Sequence, residues 1–306
     1  MKKFDEAAQA PALVATPNEM AQSPLSTQHR PSRGPSKFRP SVIISYVLVL
    51  LTVVLYLFPI LYLVNISLKT PIGFIQDPIG ITKTFHWQNF VDAWQKGDFG
   101  TGLYNSLLYT IVSSIISTVL SLFLAFPIAR AYIKYSNFWY VLFVISLFLP
   151  SALIPQFQLI VNMGLYDTQI GYILLQSGAV GLGPFLIIGY LRSIPKELDE
   201  AAAVDGCGYY RYLWSVITPL VMPVLVTTFL LHAIAVWNDI IGPTIYLADE
   251  QLHPITLGLF AFYGQYGNEW AELSAATLIV AFPLILLYFS LQRYFIEGAL
   301  GGAFKS

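Results

Sequence analysis

Ser193-Ile194-Pro195-Lys196-Glu197-Leu198-Asp199-Glu200-Ala201-Ala202-Ala203-Val204-Asp205-Gly206 is a polar island between two long apolar runs. The flanking runs are long enough to be membrane-embedded, so the island sits in water beside a membrane. Its residue order predicts a short helix. Ser193 is placed to cap the N-terminus, and Pro195 suits the first turn, where a missing N–H has no intrahelical partner to lose. Glu197 and Asp199 fall near the positive end of the helix dipole. Gly206 can end the helix in a left-handed turn. Three successive alanines keep side-chain bulk off one patch, so another protein's surface can approach the backbone there.

Of the 306 residues, 56% are hydrophobic and 11% charged, against about 25% charged in an ordinary soluble domain. Several uncharged runs are long enough to cross about 30 Å of hydrocarbon, which takes about 20 helical residues. The alternating segments of about 10 residues that mark a membrane barrel do not occur. The chain is therefore expected to be all-α, a polytopic membrane protein. The formal net charge of −1 points to no nucleic-acid partner.

Six transmembrane helices are expected, at about 41–68, 103–129, 138–159, 169–191, 216–240 and 273–291. Residues 1–40, rich in Pro, Ser, Gln and Ala, read as a disordered tail ahead of a retained span rather than a cleaved signal. Residues 69–102 form a polar and aromatic segment. Pro150 and Pro155 lie within the third span. Gly181, Gly183 and Pro184 interrupt the fourth and predict a bend or local unwinding. The island belongs to a loop at 192–215. A second polar-aromatic segment, 241–271, contains Tyr263-Gly264-Gln265-Tyr266-Gly267.

Charge asymmetry sets the orientation. Six spans put both termini on one face. That face collects 13 Lys and Arg residues from the N-terminal tail, the 130–137 turn, the island loop and the C-terminal tail, while the other has only Lys69, Lys83 and Lys96. Both termini and the island are therefore expected in the cytoplasm, where ATP is.

Glu200-Ala201-Ala202, Gly206, Val216, Thr218 and Pro219 resemble the EAA loop of ABC importer permeases. The family pattern is Glu-Ala-Ala, three residues, Gly, nine residues, Ile, one residue, Leu-Pro. Val216 stands for Ile, Thr218 for Leu, and Ala203 where family members often carry a basic residue. The resemblance implies the type I ABC importer permease fold. It also implies that the island is a coupling helix seated in a cleft of a separate ATPase subunit. It assigns ATPase coupling to Glu200, Ala201, Ala202, Asp205, Gly206 and Pro219, with Glu200 paired to a basic residue of that subunit. The chain has no GxxxxGK[ST] phosphate loop, so no cofactor is expected on it, and ATP and Mg are left to the partner ATPase.

Val236-Trp237-Asn238-Asp239 resembles a Trp-Asn-Asp signature that follows the coupling loop in maltose-type sugar permeases, specifically the second permease. Asn105-Ser106-Leu107 and the C-terminal Gln292-Arg293-Tyr294-Phe295, Gly298 and Gly301-Gly302-Ala303 match in order, so the resemblance covers about 41–306. It implies a bacterial or archaeal cytoplasmic (inner) membrane, a second permease subunit, two ATPase subunits, an extracytoplasmic solute-binding protein and a sugar substrate, all within membrane lipid. The segment between the fifth and sixth spans would reach into the binding protein's cleft. Trp237, Asn238, Asp239, Tyr263, Gln265 and Tyr266 are the candidates for the substrate path or that loop. Aromatic faces suit sugar rings and amides suit hydroxyls, although the same composition describes an aromatic belt at a membrane interface. Asp239 and His232 are the two ionisable residues inside the spans, on roughly one helical face. Asp239 reads also as an interfacial cap or structural hydrogen-bonder, and His232 more simply as a satisfied core or interface histidine.

Two other classes fit less well. A secondary carrier or channel, working without an ATPase, would call for more intramembrane charge or an internal repeat. A membrane-embedded enzyme needs paired carboxylates or a histidine cluster at metal spacing, and His29, His86, His232 and His253 are scattered. Neither a metal nor a disulfide is expected around the lone Cys207. A glycerol phosphodiester or another polyol-like solute is the alternative cargo.

Overall fold

The computed structural model describes residues 40–303 apart from 84, 151, 265 and 266. The expected N-terminal tail, up to residue 39, and the candidates Gln265 and Tyr266 lie outside the described residues. By contact the chain divides into two units, Met1–Leu55 and Tyr56–Ser306. The described part of the first unit is the leading stretch of α1 (Pro40–Ser67), an uncharged helix whose large apolar side chains are exposed.

The second unit continues with α2 (Pro71–Gln76), α3 (Gln88–Lys96), α4 (Phe99–Ala129), α5 (Ser136–Ser146), α6 (Leu153–Asn162), α7 (Gln169–Gly178) and α8 (Gly183–Ser193). Next come α9 (Glu197–Val204), α10 (Tyr209–Tyr212), a π-turn at Leu213–Ile217, α11 (Thr218–Leu220), α12 (Met222–Trp237) and α13 (Ile241–Tyr246). Two 3-10 turns, Glu250–Leu252 and Leu257–Phe262, lead to a two-residue antiparallel ladder, Tyr263–Gly264 with Gly267–Asn268, and then to α14 (Trp270–Ala303). That small ladder is the one departure from all-α structure among the described residues.

Among the described residues three helices are long and apolar enough to cross a membrane: Ile44–Ser67, Phe99–Ala129 and Trp270–Tyr294. Two bent pairs also qualify when each is taken as one span: α7 with α8, bent by 43°, and Tyr209–Leu220 with α12, bent by 81°. The first bend falls at the expected Gly181-Gly183-Pro184 interruption. The second, at Val221, divides the expected 216–240 span between Pro219 and Pro223, each of which removes a helical N–H donor. The expected 138–159 span is also divided, into α5 and α6, with 11 and 10 residues. Pro150 lies in the gap and disfavours helical backbone at the residue before it. The last helix runs on to Ala303, well past the expected end at Leu291.

The second unit is built around α4, which packs against α7, α8 and α12. Ser106, Thr110, Ser113, Ser114, Ser117 and Ser121 are buried along it. Their spacing of three and four residues puts them on one face. Lipid tails are as apolar as leucine, so helices gain little by hiding leucine from them; small residues that admit close packing supply the attraction instead. Larger side chains fill the two ends. Leu122, Phe126, Ile187, Leu191, Leu213 and Ile217 cluster at the end facing α9. Phe99, Trp237, Ile255, Phe262, Ala275 and Val280 cluster at the opposite end.

Candidate functional site

The island folds as the last residue of α8, a turn and α9. Ser193 ends α8, its hydroxyl donating to the Tyr190 carbonyl at 2.8 Å. It is therefore not the expected cap. Lys196 occupies the cap position without a side-chain bond, and Pro195 precedes the helix instead of entering its first turn. The cause is local: Ile194, next to a proline, is held extended at φ −83° and ψ 130°, as steric conflict with the ring requires. Glu197, Asp199 and Glu200 fill the first turn of α9 and answer its unpaired N–H groups. Gly206 stops the helix as expected, with φ +69°. Its N–H donates to Ala203 O at 3.1 Å and that of Cys207 to Ala202 O at 2.9 Å, the paired bonds of a Schellman stop.

The two sides of α9 differ. Ala202, with Cys207, packs on the apolar cluster at this end of the bundle. Glu197, Glu200, Ala201, Ala203 and Asp205 are exposed, as is Pro219 further on. Val204 is 88% exposed and Leu198 40%. The three alanines thus do not share one patch, since Ala202 points inward. Glu200 forms no ion pair among the described residues.

Asp199 is the anchor on the inward side. Its Oδ2 lies 3.0 Å from Arg130 Nε, and Arg130 Nη1 donates to the Ile194 carbonyl at 2.8 Å. The hydroxyl of Tyr132 donates to Oδ2 at 3.0 Å, and that of Tyr212 donates to Oδ1. Desolvation of its hydroxyl first, and then the Asp199 carboxylate, push the Tyr132 pKa up to about 12, so it remains a donor at neutral pH. The Arg130 side chain is 1% exposed. None of these partners was legible from the sequence. Arg130 was visible as a charge abutting an apolar run, but nothing in the pattern pointed it at Asp199.

At the opposite end the Trp-Asn-Asp stretch splits three ways. Trp237 is 3% exposed in the core, its indole N–H donating to Val280 O at 3.2 Å. Asn238 is exposed and bonds back to Ile234 O. Asp239 faces α7: its Oδ2 accepts from Tyr172 OH at 3.0 Å and from Gln176 Nε2 at 2.6 Å, and its Oδ1 from the Gly242 N–H at 2.9 Å. His232 reaches the same segment, with Nε2 3.1 Å from Gln176 O and Nδ1 3.1 Å from Ser114 Oγ. His232 and Asp239 therefore meet on Gln176, just before the break in the fourth span. Tyr172 and Gln176, four apart on α7, were not singled out from the sequence. Asp239→Asn keeps one acceptor oxygen for donors that now share two. It is expected to cost about 1–3 kcal/mol, the loss for a buried donor left unpaired. A thermal unfolding midpoint in detergent that matches wild type would refute a structural role for the network.

The loop beyond α13 is fastened to the start of α4 by the residues of the Asn105-Ser106 match. Asn105 Nδ2 donates to Gln251 O at 2.8 Å and His253 O at 3.1 Å, Tyr109 OH donates to Leu252 O at 2.8 Å, and Ser106 Oγ accepts from Ile255 N at 2.8 Å. Gly102 admits this contact, since a Cβ there would lie 2.9 Å from Ile255 Cα. That obstacle is backbone and cannot rotate away. Gly102→Val is expected to displace 251–255 at an overpacking cost of about 1–3 kcal/mol, read as faster proteolysis of that segment. Beside it an open cleft of about 710 Å³ is bordered by Asp98, Glu250, Gln251, His253 and Phe260. Tyr263 is exposed on the small ladder, its ring tilted against Phe260.

An apolar helical bundle with an exposed, anchored amphipathic helix at one end and a polar loop fastened at the other is the arrangement of a membrane transport subunit. The chain belongs to the family of binding-protein-dependent transport system inner membrane components, matched over residues 99–298, and so is a multi-pass inner-membrane permease of the ABC class. Among its relatives is the melibiose/raffinose/stachyose import permease protein MelC of Bacillus subtilis (strain 168), 30% identical over 72% of this chain and 81% of that one. Another is the probable starch degradation products transport system permease protein AmyC of Thermoanaerobacterium thermosulfurigenes, 30% identical over 85% and 97%. In fold it is similar to a chain of a bacterial ABC transporter involved in the import of the acidic polysaccharide alginate. That likeness has a TM-score of 0.75 and 22% identity, over 86% of this chain and 100% of the other.

Proposed function

We propose that the chain is one permease subunit of an ATP-driven, binding-protein-dependent importer of a sugar or oligosaccharide. The observation that carries this reading is α9, a short acidic helix with Val204 88% exposed, held from behind by Asp199. An apolar side chain that bare on an anchored helix suits a protein cleft. The partner is a separate ATPase subunit, two copies of which use ATP and Mg, with Glu200 facing a basic residue and Ala201, Asp205, Gly206 and Pro219 at or beside the contact. Ala202 supports the contact from the inner side.

A second permease completes the translocation path, and an extracytoplasmic binding protein delivers the sugar to the face formed by the loop around 244–263. Asp239, Asn238 and Tyr263 are placed toward that face, while Trp237 supports it from the core. Six crossings, with α5 and α6 together as one, put both termini and α9 in the cytoplasm. The relatives' names favour a sugar as cargo: melibiose, raffinose and stachyose for one, starch degradation products for another. In the transport cycle ATP closes the ATPase pair, α9 moves with it, and the cavity changes the side it opens to, a shift between two states biased by differential binding.

The test is a ligand screen on the cognate binding protein, followed by uptake of the labelled ligand in a strain lacking this chain. Loss of uptake of a sugar, restored by the gene in trans, is the expected result. Selection of a polyol or glycerol phosphodiester instead would overturn the sugar assignment, and uptake without any co-purifying ATPase would overturn the class of mechanism.

A further inference from the structure

We propose that α4 is a push-rod: displacement of α9 is delivered through the Asp199–Arg130 clamp to one end of α4 and carried along it to residues 251–255 at the other. The proposal rests on the reading of α9 as the ATPase-docking helix and adds the route by which its motion reaches the opposite face. Arg130 is a positioning residue in this scheme, acting through Asp199 and touching neither ATP nor sugar.

Three observations carry it. The first is the clamp. Arg130, 1% exposed, is ion-paired with Asp199 on α9 and donates to the Ile194 carbonyl ahead of it, while Tyr132 and Tyr212 complete the shell around the carboxylate. Parting the pair would leave a guanidinium buried without its counter-charge, a strongly unfavourable state. The α9 helix and the end of α4 therefore move together.

The second is the contrast between the routes out of α9. The segments joined to it by the chain are both broken before they reach the opposite face, by 43° between α7 and α8 and by 81° at Val221. Breaks of this kind absorb displacement as hinges do. The α4 helix has no such break over its 31 residues, about 46 Å at the α-helical rise.

The third is how α4 is held. Its far end makes four hydrogen bonds to 251–255 through Asn105, Ser106 and Tyr109. Along its middle, small hydroxyl residues pack against α7, α8 and α12. Among the described residues the buried hydroxyls of Thr110, Thr118 and Ser121 have no hydrogen-bond partner. Among the described residues, Ser114 with His232 is the one side-chain bond from 110–121 to another helix. A helix fastened at both ends, and held between them by close packing of small side chains with few directional bonds, transmits axial motion to its ends.

The experiment uses the whole importer, with its ATPase, second permease and binding protein, in lipid vesicles. Deuterium uptake over 249–258 is followed with and without ATP, alongside ATPase co-purification and ATPase stimulation by liganded binding protein. In wild type ATP changes the uptake of this segment. In Arg130→Gln the ATPase still co-purifies and uptake without ATP matches wild type, but the ATP-induced change is lost and stimulation falls by about tenfold, within the usual range of inter-site coupling. The exchange R130D/D199R restores both in part. Tyr132→Phe, which removes one donor at the exposed edge, gives a smaller loss in the same direction and serves if Arg130→Gln does not assemble. An ATP-induced change that survives Arg130→Gln, or uptake already altered without ATP, overturns the push-rod and leaves Arg130 a packing residue. Absence of the ATPase from the wild-type complex would instead overturn the docking assignment, and this proposal with it.

Discussion

Glu200→Lys is expected to leave the chain in the membrane and strip the ATPase from it. Glu200 is exposed on the outward side of α9 and forms no ion pair among the described residues, so the bundle itself loses little. Against a basic residue of the docked subunit, charge reversal removes an attraction and adds a repulsion. Losing one partner of a buried interfacial charge pair costs about 2–5 kcal/mol, and 3 kcal/mol is roughly a hundredfold in affinity. The measurement is recovery of the ATPase with the tagged permease, together with transport-linked ATP hydrolysis. Full recovery and full activity would show that Glu200 is not at the contact. Glu197→Lys, also in the first turn of α9, serves as the control for a general loss of helix-dipole support, worth only about 0.3–1 kcal/mol.

Gly206→Val is expected to lower transport by about tenfold, and Gly206→Asn to leave it near wild type. Gly206 has φ +69°, and a Cβ built there meets no atom within 4 Å. Crowding within the chain is thus excluded as a cause, and what remains within it is backbone strain. A left-handed residue with a β-carbon costs about 1–2 kcal/mol, more when β-branched, while asparagine visits this region readily. Valine therefore unwinds the Schellman stop and tilts the last turn of α9, where Val204 and Asp205 are displayed. Since 1.4 kcal/mol is a factor of ten, a tenfold loss corresponds to the strain alone. Uptake assays on matched membrane amounts decide it. Equal activity of the two variants would mean that the end of α9 plays no part in coupling.

Both predictions fall on residues that the sequence alone singled out, and the reason is physical. A helix stop at Gly206 depends on its own backbone torsion and on carbonyls three and four residues back. The break in the fourth span depends on glycines and a proline within a few positions. Local misreadings have equally local causes. Ser193 failed as a cap because Pro195 constrained Ile194 and set the turn after Ser193, and the third span divided because Pro150 outweighed the apolar composition around it. Trp237, Asn238 and Asp239 are neighbours along the chain without being neighbours in space. The end of a helix sends consecutive side chains to different sides, here to α14, to the exposed surface and to α7.

Hydropathy was sufficient for the class of molecule, because whether 20 residues favour hydrocarbon over water is a sum over those residues and needs no partner. Positions of the polar island and of the left-handed stop followed in the same way. What pairs with what did not. Arg130 and Asp199 are 69 residues apart, Gln176 and Asp239 63, and Asn105 and Gln251 146. Each contact exists because packing on α4 brings distant segments to a common depth, where a polar group must find whatever partner the neighbouring helix presents. A buried charge or amide has no periodicity that names its partner, so the clamp on α9 and the fastening of the opposite loop became visible only once the helices were in place.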